Sequence, residues 1–323
     1  MLRRVALAML AVAASGPAFG QAYPNKPISM IVPFAAGGPT DVMARIMGER
    51  MGRELGQQFI IENVAGAAGT IAMGKLARST PDGYTIGIGH LGTNVVNSAI
   101  YKNLNYDLLN DLAPIALLPS NPLLVVTSNQ VPAKDLKELV AYLKANPDKV
   151  SGGTAGMGSG SHIGVLAFFA ATGTNYQLVP YRGTGPAAQD LMANQIQIMI
   201  DQSSNSLPHV RAGKIRAYAV TANKRNAAAP DIPTTAEAGF PGIEVAIWHG
   251  LWAPKGTPPE IIAKLNAAAV VALKDPEIRR KLEDLGQDIP TPEQMAPAAF
   301  TAYQKAEVAK WTPIIEKAGV KIE

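Results

Sequence analysis

The sequence predicts an α/β protein built as two lobes of mainly parallel sheet, with a helical C-terminal region. Three observations carry that expectation. Apolar strand-length runs alternate with helix-length amphipathic segments through residues 28–221, the pattern of βα units. The alternation starts afresh at residue 149, after an Asn146-Pro147 stop signal, so the chain holds it twice. From Pro258 onward the strand pattern is gone and helical periodicity replaces it, with breaks at Pro276, Gly286 and Pro292.

The elements follow in order. Ile28–Phe34 reads as a buried strand, Ala35–Pro39 as a turn of small residues, and Asp41–Leu55 as a helix with apolar positions at Val42, Ile46, Met47 and Leu55. Phe59–Val64 is a second strand, Gly69–Arg78 a short helix and Tyr84–Gly89 a third strand. Leu112–Leu118 and Leu123–Val126 are two further apolar runs, and Leu136–Leu143 is an amphipathic helix. In the second half, strands are expected at Lys149–Thr154, Gln177–Tyr181, Gln195–Asp201 and Ile215–Thr221. Helices are expected at His162–Ala171 and around Pro186–Met192 and Ser206–Arg211. Crossovers between the halves fall near Asn121 and Glu244. They divide the chain into lobe 1 (23–121 plus 245–323, discontinuous) and lobe 2 (122–244).

Length and composition narrow the function. The 323 residues exceed one typical domain, and 47% hydrophobic against 17% charged residues describes a globular chain with material for a core. Arg3 and Arg4, followed by the apolar stretch Val5–Ala14 and small residues around Ala18-Phe19-Gly20, read as a signal peptide over 1–20, cleaved after residue 20 or 22. Its apolar run is too short to span a bilayer, so the expected location is the periplasm. Without Arg3 and Arg4 the chain keeps 27 cationic against 25 acidic side chains, +2. That balance, with no basic run, gives no footprint for nucleic acid. The absence of cysteine excludes disulfides, thiolate chemistry and a lipid-anchored lipoprotein.

Two turns stand out. Pro33-Phe34-Ala35-Ala36-Gly37-Gly38-Pro39-Thr40-Asp41 lies where a strand feeds a helix. Its glycines let backbone N–H groups approach a ligand, and Thr40 is a possible cap at a helix N-terminus that favours anions. Tyr181-Arg182-Gly183-Thr184-Gly185-Pro186 repeats the design in the second half, with Thr184 as the possible cap and Arg182 as a carboxylate partner or a solvent-facing residue. One turn at a strand end in each half suits a ligand held between open α/β sheets.

The remaining motifs point away from catalysis. Gly152–His162 is a glycine-rich loop suited to a lid or an N–H nest. Ser159 and His162 lack the offsets of a nucleophile elbow. Gly87-Ile88-Gly89-His90-Leu91-Gly92 is a formal dinucleotide fingerprint, but it follows the third strand, no long helix follows it, and Asp107 comes too early for a ribose contact. No cofactor is expected. His90, His162, His209 and His249 show no metal-ligand spacing, so no metal is expected either. Trp248, His249 and Trp252 form an aromatic patch near the second crossover, read as core or hinge packing.

These motifs together resemble the Bug, or TctC-like, family of periplasmic receptors for tripartite tricarboxylate transporters. The resemblance rests on Tyr23–Ile28 with Pro33–Asp41, Pro81-Asp82-Gly83-Tyr84, Val179–Gly183, Leu207–Ala217, Pro230–Thr234 and Trp252–Pro258. It implies a type II periplasmic-binding-protein fold, a Venus flytrap that closes on its ligand. In such receptors the two turns pin a carboxylate, which carries onto Phe34, Ala35, Ala36, Gly37, Gly38 and Thr40 and onto Tyr181, Arg182, Gly183, Thr184 and Gly185. His90, Thr93, Asn94, Thr154, Ser159 and Asp201 would line the rest. One departure is Asn194-Gln195-Ile196-Gln197, where relatives often read Gly-x-Val-Asp; it removes a charge near the cleft wall or the lobe surface.

The expected function is therefore a monomeric periplasmic solute-binding protein, not an enzyme. It takes a small organic carboxylate, a di- or tricarboxylate, and delivers it to inner-membrane permease subunits. The alternatives are an aromatic or nicotinate-like acid as ligand, favoured by Phe34 and Trp248, a periplasmic sensor, or an NAD-dependent enzyme using Gly87–Gly92.

Overall fold

The computed structural model describes residues 23–317, 319 and 321. The expected signal peptide lies outside the described residues. Among the described residues, nine strands form two sheets that share one long strand. In the first, β1 (Ile28–Val32) pairs in parallel with β2 (Phe59–Asn63) and β3 (Thr85–His90). β9 (Ala246–Pro254) then enters antiparallel between β3 and β4 (Leu112–Ser128). In the second sheet, β4 pairs antiparallel with β7 (Ile198–Gln202) and β8 (Ile215–Val220), while β5 (Ser151–Thr154) lies parallel to β6 (Gln177–Pro180) and β7.

β4 and β9 differ from the sequence reading. The two apolar runs at 112–118 and 123–126 are one 17-residue strand. It pairs with β9 as far as Pro122, with β7 from Leu123 and with β8 from Leu124. Pro114 and Pro119 interrupt the sequence pattern but sit at irregularities of the ladder, where a missing N–H is tolerated. The aromatic patch at Trp248–Trp252 lies within β9. A strand buried on both faces shows no alternation to read.

Helices cover the sheets. α1 (Pro39–Leu55) and α2 (Thr70–Ala77) follow β1 and β2. α3 (Leu136–Ala145), α4 (Gly160–Thr172), α5 (Thr184–Met192) and α6 (Ser203–Arg211) belong to the second half. α7 (Pro259–Lys274), α8 (Pro276–Asp284) and α9 (Pro297–Lys317) make the helical C-terminal region. α1 and α7 bury Met43, Met47, Met51, Leu265 and Leu273 against Ile28, Met30, Ile86 and Leu251 on one face of the first sheet.

The C-terminal helices return to that sheet through specific bonds. Arg50 Nε donates to Asp275 Oδ2 at 2.9 Å, and Asn266 Nδ2 donates to the carbonyls of Ile115 and Met295, both at 2.8 Å. Trp248 Nε1 and Trp311 Nε1 both donate to Glu307 Oε2, at 2.9 and 3.2 Å. Among the described residues, no helix is long and apolar enough to cross a membrane.

Candidate functional site

The turn after β1 owes its shape to a residue that sequence reasoning left off the site. Asp41 Oδ2 accepts from Gly37 N–H at 2.9 Å and from Arg45 Nε at 3.0 Å; its Oδ1 accepts from Asn63 Nδ2 at 2.9 Å and Arg45 Nη2 at 3.0 Å. Burial opposes ionisation of this carboxyl, yet the bonds from Arg45, Gly37 and Asn63 outweigh it and hold Asp41 below the ordinary carboxylate value. Gly37 stands at φ +85°, in the left-handed region that favours glycine. Its N–H is already engaged, so Gly37 is a shaping residue of the turn.

Neither threonine caps its helix. Gly38 is the N-cap of α1 and Gly183 that of α5, because the chain turns into helix one or two residues earlier than expected. Thr40 is buried with Oγ1 3.2 Å from His249 Nε2, and Thr184, also buried, is the first residue of α5. The two turns touch. Ala35 N–H donates to the Arg182 carbonyl at 3.0 Å. A Cβ on Gly185 would lie 3.2 Å from Gly38 N, and one on Gly183 would lie 3.4 Å from Ala35 N. Glycine is what allows the two halves this close. Arg182 is exposed and contributes its carbonyl to the contact. Tyr181 OH turns to Asp190 Oδ2 of its own half, at 2.6 Å.

A small cavity, about 10 Å³, lies between the turns, lined by Phe34, Thr40, His90, Ser161, Thr184 and Gln202 among others. That is room for about one water. His90 stacks on Phe34 at 5.0 Å and meets His249 edge-on at 5.6 Å. Burial pushes His90 down to about 3, helped by His249, and His249 down to about 4, so both rings are neutral near pH 7. No charged side chain lines this cavity.

Outside it, a wider cleft of about 610 Å³ is walled by Phe34, Ala67, Ala68 and Tyr101 on one side and Met157 and Arg182 on the other. Tyr101 OH donates across it to the Met157 carbonyl at 3.1 Å. The Gly66–Gly69 loop escaped the sequence reading. Ala67 and Ala68 hold φ +44° and +47° there, a strained state for alanine that clusters at functional sites. The signal was present: it is a third turn of small residues after a strand.

Several expected residues serve the scaffold. Ser159 caps α4 by accepting from His162 N–H at 3.4 Å, and Thr154 Oγ1 accepts from Gly156 N–H at 3.3 Å. Thr93 Oγ1 bonds the backbone of His90 and donates to Asn94 Oδ1 at 2.6 Å; both side chains are wholly buried and neither lines the cavity. Ala35 is half-buried and Ala36 exposed. Asp201 lies behind the second turn. Its Oδ2 accepts from Asn205 Nδ2 and Ser206 Oγ, both at 2.6 Å, and Asn205 also reaches the Thr184 carbonyl at 3.4 Å. Burial raises its pKa to about 6 against those bonds. Trp248 stays out of the cleft, packed among Trp252, Phe300 and Tyr303.

Residues 43–320 match the family model for the tripartite tricarboxylate transporter family receptor. Three solved structures show the same architecture. The periplasmic binding protein BugD is 40% identical with a TM-score of 0.90, covering 93% of this chain and all of BugD. Malate-bound MatC from Rhodopseudomonas palustris is 41% identical, TM-score 0.88, over 91% of this chain and all of MatC. An adipate-bound R. palustris protein is 32% identical, TM-score 0.88, over 93% of this chain and all of that one. With its two sheets joined by β4 and its paired turns at the strand ends, the chain belongs to the tripartite tricarboxylate transporter receptor family, as a solute-binding protein and not an enzyme.

Proposed function

We propose that this protein is exported to the periplasm, captures a small di- or tricarboxylate between its two βα turns, and hands it to an inner-membrane tripartite permease. The observation that carries this reading is the meeting of two helix N-termini, one from each half, at a cavity without charged side chains. Free first-turn N–H groups there are donors for an anion. Relatives with malate and adipate bound place carboxylates within the same family. Lobes 23–121 with 245–323 and 122–244 then part to admit the ligand and close on it. A cavity of about 10 Å³ cannot take a diacid without that opening.

The aromatic-acid alternative keeps Phe34 beside the cavity but loses Trp248, which is bonded to Glu307.

A thermal-shift screen of the purified protein tests the reading, with dicarboxylates, tricarboxylates, aromatic acids, acidic amino acids and NAD(H). A ligand at about 100 times its Kd adds roughly 2.7 kcal/mol, a rise of a few degrees at this size. A rise with one carboxylate class supports the proposal and names the class. A rise with NAD(H) alone, or with aromatic acids alone, overturns it.

A further inference from the structure

Residues 285–291, between α8 and the single helical turn Pro292–Met295, form a strap beside β4. Both ends of the strap are rooted in the first half. Leu282 and Met295 are buried in the same cluster as Ile28 and Met30, Ile289 packs against that cluster, and Asn266 Nδ2 donates to the Met295 carbonyl at 2.8 Å. The strap also pairs with β4 close to where that strand changes partners. Ser120 N–H donates to the Asp288 carbonyl and Asp288 N–H to the Ser120 carbonyl, both at 2.9 Å.

The tip of the strap reaches into the second half. The Gly286 carbonyl accepts from Ser203 Oγ at 3.0 Å and from Asn226 Nδ2 at 2.9 Å, and the Asp284 carbonyl accepts from Arg211 Nη1 at 2.9 Å. Gly286 stands at φ +75°, and a Cβ on it would lie 2.6 Å from Asn226 Nδ2 and 2.8 Å from Leu207 Cδ1. Cavities of about 310 and 320 Å³ open beside the strap, both lined by Asp288 and Ile289. Side-chain packing around it is therefore sparse, and the bonds at the tip carry the attachment.

Such a strap cannot travel with the second half. Its ends belong to the first core, so a parting of the halves has to stretch or break the bonds at its tip. Resting on the closure proposed above, we propose that the strap is a latch on ligand release. Ser203, Asn226 and Arg211 hold the halves closed through it, although none of them lines the cavity between the turns or the cleft outside it. They are positioning residues. A latch made only in the closed form slows opening and leaves the open form, which the ligand enters, as it was. Its mark is on dissociation and not on association.

Stopped-flow kinetics with malate, adipate and citrate test this, on the wild type, Ser203→Ala/Asn226→Asp and Gly286→Ala. The double variant leaves the Gly286 carbonyl without a donor and keeps the bond that Asn226 Oδ1 takes from Ala228 N–H. Alanine at 286 pushes the tip off the second half with both donors in place. Both variants are expected to raise the dissociation rate of the bound acid about tenfold, with association within about twofold of wild type. Ser203→Ala alone, the mildest change, is expected to raise dissociation about threefold. Dissociation within about twofold of wild type in every variant, or a loss of affinity that lies in association, overturns the latch and leaves the carboxylate reading standing. Binding of none of the three acids by the wild type overturns the carboxylate reading. Small-angle scattering of the ligand-free proteins then decides the latch: a larger radius of gyration in the double variant supports it, and an equal one overturns it.

Discussion

Two buried aspartates titrate in opposite directions because their surroundings differ. Asp41 has four hydrogen-bond donors on two oxygens. Its folded-state pKa is depressed, so its contribution to stability is present above the ordinary carboxylate value of about 3.9 and is lost as pH falls through its lowered value. Asp201 is wholly buried, its Oδ1 has no partner, and its pKa rises to about 6 from 3.8. A raised pKa works the other way: folding gains stability that is fully present below the unfolded value and is lost as pH rises through about 6. Asp201→Asn is therefore expected to abolish the decline in stability between pH 4 and pH 6, a step of at most ~3 kcal/mol. Denaturant melts of both proteins at pH 4, 5, 6 and 7 check it. Parallel curves for wild type and variant across that range would show that Asp201 does not titrate there.

At the scale of elements, the meeting of two helix starts depends on side chains that are absent. Gly185 is the second residue of α5, where alanine is the better helix former by about 1 kcal/mol. A Cβ there would press within 3.2 Å of Gly37 C and Gly38 N. Gly185→Ala is expected to leave the melting temperature unchanged or slightly higher and to weaken ligand binding about tenfold, because the turns can no longer close. Titration of the bound carboxylate beside a thermal melt separates the two effects. Loss of melting temperature without loss of affinity would mean that the glycine serves packing within its own half.

For the molecule as a whole, the proposed closure is a two-state matter in which the ligand favours the state that touches it from both sides. Under that proposal the closed state is held by Ala35 N–H on the Arg182 carbonyl and by Tyr101 OH on the Met157 carbonyl. Tyr101→Phe removes a bond that exists only when the halves meet. It is expected to cost about 1 kcal/mol of closure and to weaken binding about fivefold, with the melting temperature of the ligand-free protein within a degree or so of wild type. Small-angle scattering should show a larger radius of gyration for the ligand-free variant. An unchanged radius and affinity would show that the bond is formed equally in open and closed forms.

The alternation of strands and helices, the helical C-terminal region and the two turns were legible in the amino-acid order. Each of these is a local pattern: a period of apolar residues, a glycine pair, a proline stop. That order also carried the family, because the motifs recur along most of the chain. Only folding brings together the groups that line the cavity between the turns. Thr40 and Thr184 look like helix caps in sequence, yet helices starting at Pro39 and Thr184 turn the first toward His249, some two hundred residues away, and make the second a helical residue. Thr93 looks like a loop donor, and its hydroxyl is consumed by the His90 backbone and by Asn94 Oδ1 within its own half. β4 and β9 read as broken or aromatic segments because burial on both faces erases the alternation that marks a strand. The contacts around the cavity, such as Thr40 with His249, join residues far apart in the chain. No spacing rule encodes them; only the folded contact does.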